Sequence, residues 1–96
     1  MPELKIVATI IAKEEFKEQV EAAIIKCVDG TRQEPGNNYY ILHRDVNAPL
    51  NYVLQESWKS QQMIDRHEQS DHFQTFLSEV DGKIESLSWF KITEIY

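Results

Sequence analysis

The stretch Leu4-Lys5-Ile6-Val7-Ala8-Thr9-Ile10-Ile11-Ala12, with the helical pattern that follows from Glu14 to about Arg32, decides the fold. The first part is rich in Ile and Val and short, so it reads as a strand. Leu4, Ile6, Ala8 and Ile10 share one face, and Val7 and Ile11 the other. Both faces are largely apolar, so both call for cover. In the second part Phe16, Val20, Ala23, Ile24 and Cys27 recur at helical spacing. Glu14, Glu15 and Glu18 crowd the first turn, where the positive end of the helix dipole favours carboxylates.

Working outward, Glu34-Pro35-Gly36-Asn37 predicts a turn, with proline fixing φ at one central position and glycine admitting positive φ at the next. Tyr39 to Asp45 and Tyr52 to Trp58 then read as a hairpin of two strands around a loop from Asn47 to Leu50 that contains Pro49. Ser60 caps a short helix in which Met63, Ile64 and His67 share a face. Ser70 or Asp71 caps another, carrying Phe73, Phe76, Leu77 and Val80, and Gly82 ends it. Ile84 to Tyr96 alternates as a last strand, with Leu87, Trp89 and Ile95 opposite Ile84, Phe90 and Ile92. The order strand, helix, strand, strand, helix pair, strand is the ferredoxin-like βαββαβ pattern of an α+β fold. Right-handed crossovers set the first and third strands at the centre of a four-stranded antiparallel sheet with helices on one face. The other face also carries apolar residues, and leaving it in water exposes a larger patch than soluble monomers usually show. A second copy packed there by a two-fold axis is the expected remedy, giving a homodimer.

The 96 residues read as one domain over 1–96, with no repeat, linker or low-complexity stretch. This exceeds the roughly 70 to 80 residues below which a core usually needs a disulfide or metal staple. Sixteen Asp and Glu against ten Lys and Arg give a net charge of −6, with no basic cluster, so no nucleic-acid partner is expected. No apolar run approaches the roughly 18 residues of a membrane span. The Met1-Pro2-Glu3-Leu4-Lys5 start lacks a secretory pattern, so a cytoplasmic location is expected. The lone Cys27 has no partner for an internal disulfide and falls on the apolar face of the helix, which makes it core.

Chemistry-bearing residues gather at the end of the third strand and in the two short helices. Alternation puts Glu56 and Trp58 on one strand face, and His67 lies on the apolar side of its helix. If that strand face looks toward the helices, Trp58 and His67 line one space. Tyr39 and Tyr40 point opposite ways, so at most one lines a pocket. His43 reads as an exposed or cross-strand residue. An HxxxH pair is absent, and His67 and His72 fall on different helices, so no metal site is expected.

Glu34-Pro35-Gly36, then Glu56-Ser57-Trp58, then His67, then His72-Phe73, in this order along almost the whole chain, resemble the antibiotic biosynthesis monooxygenase family. These are small dimeric α+β barrel proteins that include quinol monooxygenase-like members. The resemblance implies a pocket between sheet and helices in each subunit, where a quinol-like or polyphenolic aromatic is oxidised by O2 without metal or flavin, so no cofactor is expected. A phenol must lose a proton before it reacts with O2, which needs a base titrating near neutrality, and histidine is the natural one. His67 and His72 are the candidates. Trp58 would stack on the substrate and help hold an oxygenated intermediate, Tyr39, Tyr40, Phe73 and Phe76 would complete the walls, and Glu56 would orient a histidine or accept a substrate hydroxyl.

Structural roles stand beside each of these: an ion pair for Glu56, core packing for Trp58, and anchored helix residues for His67 and His72. The chain departs from the family in having Ser70-Asp71 where many members carry a small residue and proline before the His-Phe pair. Its first strand also lacks the Asn expected of a haem-degrading branch, which counts against haem breakdown. Two other functions fit the same scaffold. One is an isomerase of a hydroxyketone or lactone with His67 moving a proton; the other is a non-catalytic dimer that binds an aromatic metabolite.

Overall fold

The computed structural model describes residues 3–96; Met1 and Pro2, part of the N-terminal targeting reading, lie outside them. Strand β1 spans Leu4–Ala12, a 3-10 turn Glu14–Phe16 leads into helix α1, Lys17–Thr31, and β2 (Asn37–Asp45) and β3 (Ala48–Trp58) form a hairpin. Helices α2 (Gln61–Glu68) and α3 (Asp71–Val80) follow, and β4 (Ile84–Ile92) completes the chain. The sheet order is β2-β3-β1-β4, antiparallel throughout, so the first and third strands are central. This is the ferredoxin-like α+β fold read from the pattern.

The pairing fixes which side chains share a face. Ile6 lies opposite Glu56, Ala8 opposite Leu54 and Ile10 opposite Tyr52 across β1 and β3. Tyr40 lies opposite Glu56 across β2 and β3, and Leu87 and Trp89 lie opposite Ile10 and Ala8 across β1 and β4. These side chains turn to the helices. There Ile6, Ala8, Ile10, Tyr52, Leu54 and Trp58 pack with Val20, Ile24, Cys27 and Val28 of α1, Ile64 of α2 and Phe76 and Val80 of α3 as one buried core. Burial raises the Cys27 thiol to about 11, which makes it an inert core residue.

The helices start where the caps are. Ser60 Oγ accepts the Met63 amide at 3.3 Å, and Ser70, not Asp71, caps α3 by accepting the Phe73 amide at 3.3 Å. Ser70 Oγ also donates to the His67 carbonyl at 2.6 Å, tying the end of α2 to the start of α3.

Three expectations change. The Asn47–Leu50 loop is absent: the hairpin closes at Asp45 and Ala48, with the Asn47 amide donating to Asp45 Oδ1 at 2.8 Å, and Pro49 lies inside β3. The ladder tolerates a proline there because the β2–β3 register shifts between Arg44 and Asp45, and β1 pairs only as far as Asn51. The last strand stops at Ile92, because β1 offers no pairing partner beyond Lys5 opposite Ile92; Ile95 is accordingly exposed. Gly36 does not have positive φ. The Glu34–Asn37 turn forms, the Asn37 amide donating to the Glu34 carbonyl at 3.1 Å, but glycine serves close approach: a Cβ on Gly36 falls 2.3 Å from Met63 Cβ and Cγ.

The second face of the sheet carries Tyr39 and Ile41 of β2, Val7 of β1, Val53 of β3 and Phe90 and Ile92 of β4. Tyr39, Ile41, Phe90 and Ile92 are exposed, Phe90 to 59%. The chain leaves 6214 Å² accessible, against about 5,700 Å² expected of a folded monomer of this mass.

Candidate active site

Between the helix-facing side of the sheet and α2–α3 lies a cleft of about 490 Å³, open mouth included. Only about 50 Å³ of it is enclosed room for a water-sized molecule, well below the roughly 300 Å³ at which small-molecule sites usually begin, so an aromatic ligand has to use the open mouth as well. Its walls are mostly apolar: Ile6, Ala8, Ile10 and Leu54 from the sheet, Ile64, Phe73 and Phe76 from the helices, and Tyr40, Leu87 and Trp89 at the sides. Its polar lining consists of Glu56, His67 and Glu68.

His67 is the centre of the arrangement. It is 4% exposed, yet its ring forms part of the cleft wall. Aromatic neighbours surround it, with Trp58 and Phe73 each 4.8 Å away between ring centroids and Tyr40 at 5.6 Å. Its Nδ1 lies 2.7 Å from Glu34 Oε2. A carboxylate accepts only, so Nδ1 carries the proton and, in the neutral ring, Nε2 is the free lone pair. Burial pulls the His67 pKa below its ordinary 6.5, and the Glu34 hydrogen bond and charge offset part of that. The side chain is therefore a neutral base at neutral pH.

Glu34 is the functional residue that sequence reasoning missed. It stands at the first position of the turn after α1, where its residue type reads as turn chemistry. Nothing in the local spacing tells that its side chain reaches α2 and α3. The same Oε2 also receives His72 Nε2 at 2.7 Å. His72 sits against Gly30 in the last turn of α1, where an added Cβ would lie 2.7 Å from His72 Cγ, so this glycine makes room for the imidazole. His72 does not line the cleft; it anchors Glu34 from the solvent side. The Glu34, His67 and His72 donor atoms lie within 4.8 Å of one another. Two imidazoles and a carboxylate are a donor set suited to zinc or iron. In this arrangement they satisfy one another by hydrogen bonds. The expectation drawn from histidine spacing alone overlooked this convergence, because a turn residue supplies the third group.

Glu56 and Trp58 share the helix-facing side of β3, as alternation requires, and Trp58 Nε1 donates to Glu56 Oε1 at 3.0 Å. Trp58 is fully buried and in contact with His67, but it does not line the cleft, so it supports His67 and Glu56 instead of stacking on a ligand. The exposed aromatic face belongs to Trp89, which the sequence placed on the right side of β4 without linking it to a pocket. Burial raises the Glu56 carboxyl to about 7; the Trp58 hydrogen bond opposes the rise, and Glu34 and Glu68 add to it. Tyr40, Phe73 and Phe76 line the cleft, whereas Tyr39 faces the other side of the sheet and is no part of it. His43 is exposed on that other face, its Nδ1 3.3 Å from the Val53 carbonyl across the hairpin.

A two-layer α+β domain with a small-molecule cleft and a carboxylate-held histidine in its wall is the class of protein these features define. The family model for antibiotic biosynthesis monooxygenases matches residues 4–79, and the chain belongs to that family. It is 31% identical over 71 residues to "Putative monooxygenase YcnE" of Bacillus subtilis, covering 74% of this chain and 75% of that one. Among solved structures, PA3566 from Pseudomonas aeruginosa superposes with a TM-score of 0.95 at 23% identity, covering 100% of this chain and 97% of the other. A "Putative antibiotic biosynthesis monooxygenase" from Nitrosomonas europaea does so with a TM-score of 0.92 at 19% identity, covering 98% and 91%. At those identities the structural likeness concerns the fold. Among the described residues no helix is long and apolar enough to cross a membrane.

Proposed function

We propose that the protein is a monooxygenase that oxidises a quinol-like or polyphenolic aromatic with O2 without a cofactor. The observation that carries this reading is the neutral, Glu34-held His67 in the wall of an apolar cleft. Nε2 takes the phenolic proton; the resulting anion is electron-rich enough to reduce O2 directly, and carbon–oxygen bond formation gives a peroxide. Loss of water from it leaves a new carbonyl. For a hydroquinone the sum is quinol plus O2 to hydroxyquinone plus water, so the substrate supplies every electron. Glu34 stabilises the transient imidazolium and fixes the tautomer, the division of labour of a carboxylate–histidine pair. Glu56 hydrogen-bonds the second oxygen of the substrate, and Tyr40, Phe73, Phe76 and Trp89 enclose its rings. Family membership supports the oxygenase chemistry, and the His67 geometry supports the base.

The reading includes a homodimer built through the second face of the sheet, where Phe90, Ile92, Ile41 and Tyr39 find apolar cover, and a cytoplasmic location. The function is tested by incubating protein and a hydroquinone under 18O2 and weighing the product. One labelled atom in a hydroxyquinone is the expected result. A product without label, or simple benzoquinone in the amount formed without protein, overturns it.

A further inference from the structure

We infer that Glu56 and Glu68 make the cleft reject anionic aromatics, so that its ligands are uncharged or cationic phenols. This rests on the cleft being the ligand site proposed above. Glu56 of β3 and Glu68 at the end of α2 both line it, and none of the ten Lys and Arg does. A third carboxylate, Glu34, stands directly behind His67. His67 supplies no counter-charge at neutral pH, because burial favours its neutral form. A carboxylate, sulfonate or phosphate on the ligand therefore loses its hydration on entering an apolar cleft, finds no cation, and meets like charges at contact range. That Glu34 and Glu68 raise the Glu56 carboxyl reports the same negative field from inside the protein. A neutral phenol escapes all of these costs. Its hydroxyl donates to His67 Nε2 or to a Glu oxygen, and its rings meet Phe73, Phe76 and Trp89. An ammonium-bearing phenol gains a partner in Glu68.

The test is calorimetric titration at pH 8 with three ligands of one shape: 2-naphthol, 6-hydroxy-2-naphthoate and 6-aminomethyl-2-naphthol. The wild-type protein is expected to bind the carboxylate at least about tenfold more weakly than 2-naphthol, and the ammonium compound at least as well as 2-naphthol. In the Glu56→Gln/Glu68→Gln double variant, whose fold is checked by circular dichroism, the gap between naphthol and carboxylate is expected to shrink to about threefold or less. Equal or tighter binding of the carboxylate by the wild type overturns the inference, and this comparison needs no variant. A gap unchanged in the folded double variant also overturns it, by removing Glu56 and Glu68 as the cause. If the carboxylate binds well while quinol-dependent O2 uptake persists, only the charge selection fails. If none of the three binds, the aromatic-site reading fails and the inference with it.

Discussion

Replacing Glu56 by Gln should stabilise the protein in a pH-dependent way. The carboxyl is 5% exposed, and burial raises it to about 7 from an ordinary 4.5. The fold thus holds this proton more tightly than the unfolded chain does, so the wild type is favoured at low pH. As pH rises from about 4.5, the unfolded chain ionises first and stability drains away until the folded carboxyl has also ionised, just above 7. The full cost is about 3 kcal/mol, which for a domain of this size is upwards of about 10 °C in Tm. Gln keeps an oxygen to accept the Trp58 Nε1–H, 3.0 Å from Glu56 Oε1 in the wild type, so the packing is retained while the charge is lost. Urea unfolding of both proteins, followed by Trp fluorescence from pH 4 to pH 9, reads the effect, because the titrations of groups not coupled to Glu56 cancel in the difference. The variant should match the wild type near pH 4 and exceed it by about 3 kcal/mol at pH 9. Parallel stability curves across that range would refute the reasoning, since Glu56 would then be solvated in the native state.

Other consequences are as concrete. Turnover should keep its plateau below pH 6.5 on the acid side, because the neutral His67 persists there; Glu34→Gln should move the acid limb lower still and reduce the rate, since Glu34 holds the His67 proton. A 15N titration of the imidazoles reads the same shift without activity. Gly36→Ala should cost about 1 to 3 kcal/mol in urea unfolding, since the new Cβ meets Met63 Cβ and Cγ at 2.3 Å, and a Met63→Ala partner change should recover part of it. Phe90→Lys, on the exposed second face of the sheet, should yield monomers in sedimentation equilibrium while leaving the far-ultraviolet spectrum unchanged.

Much of the fold was legible because it rests on period. Alternation in Leu4–Ala12 marks a strand apolar on both faces, helical spacing from Phe16 to Cys27 names one packing surface, and the strand order follows from handedness. Pro49 and Ile95 misled for opposite reasons. A proline sits in β3 where the register breaks, and an alternating tail ends where β1 has no partner left, and both facts belong to neighbouring strands. In the site, Glu56, Tyr40, Phe73, Phe76 and His67 carried their faces in the local pattern. Glu34 did not, because its side chain is defined by helices that begin 27 residues and more further on, at Gln61 and Asp71. Trp58 was legible as a neighbour of His67, but whether a buried ring touches the cleft or lies behind another ring depends on packing that no spacing encodes.

The central claim is that His67 is the base for oxygenation. Its most direct test is O2 uptake by metal-stripped protein with a panel of hydroquinones, naphthoquinols and anthrones, beside a no-protein control and His67→Ala. Uptake above autoxidation by the wild type, lost in a folded His67→Ala protein, is the predicted result. Equal uptake by His67→Ala, or none above the control with ligands that demonstrably bind, would contradict it.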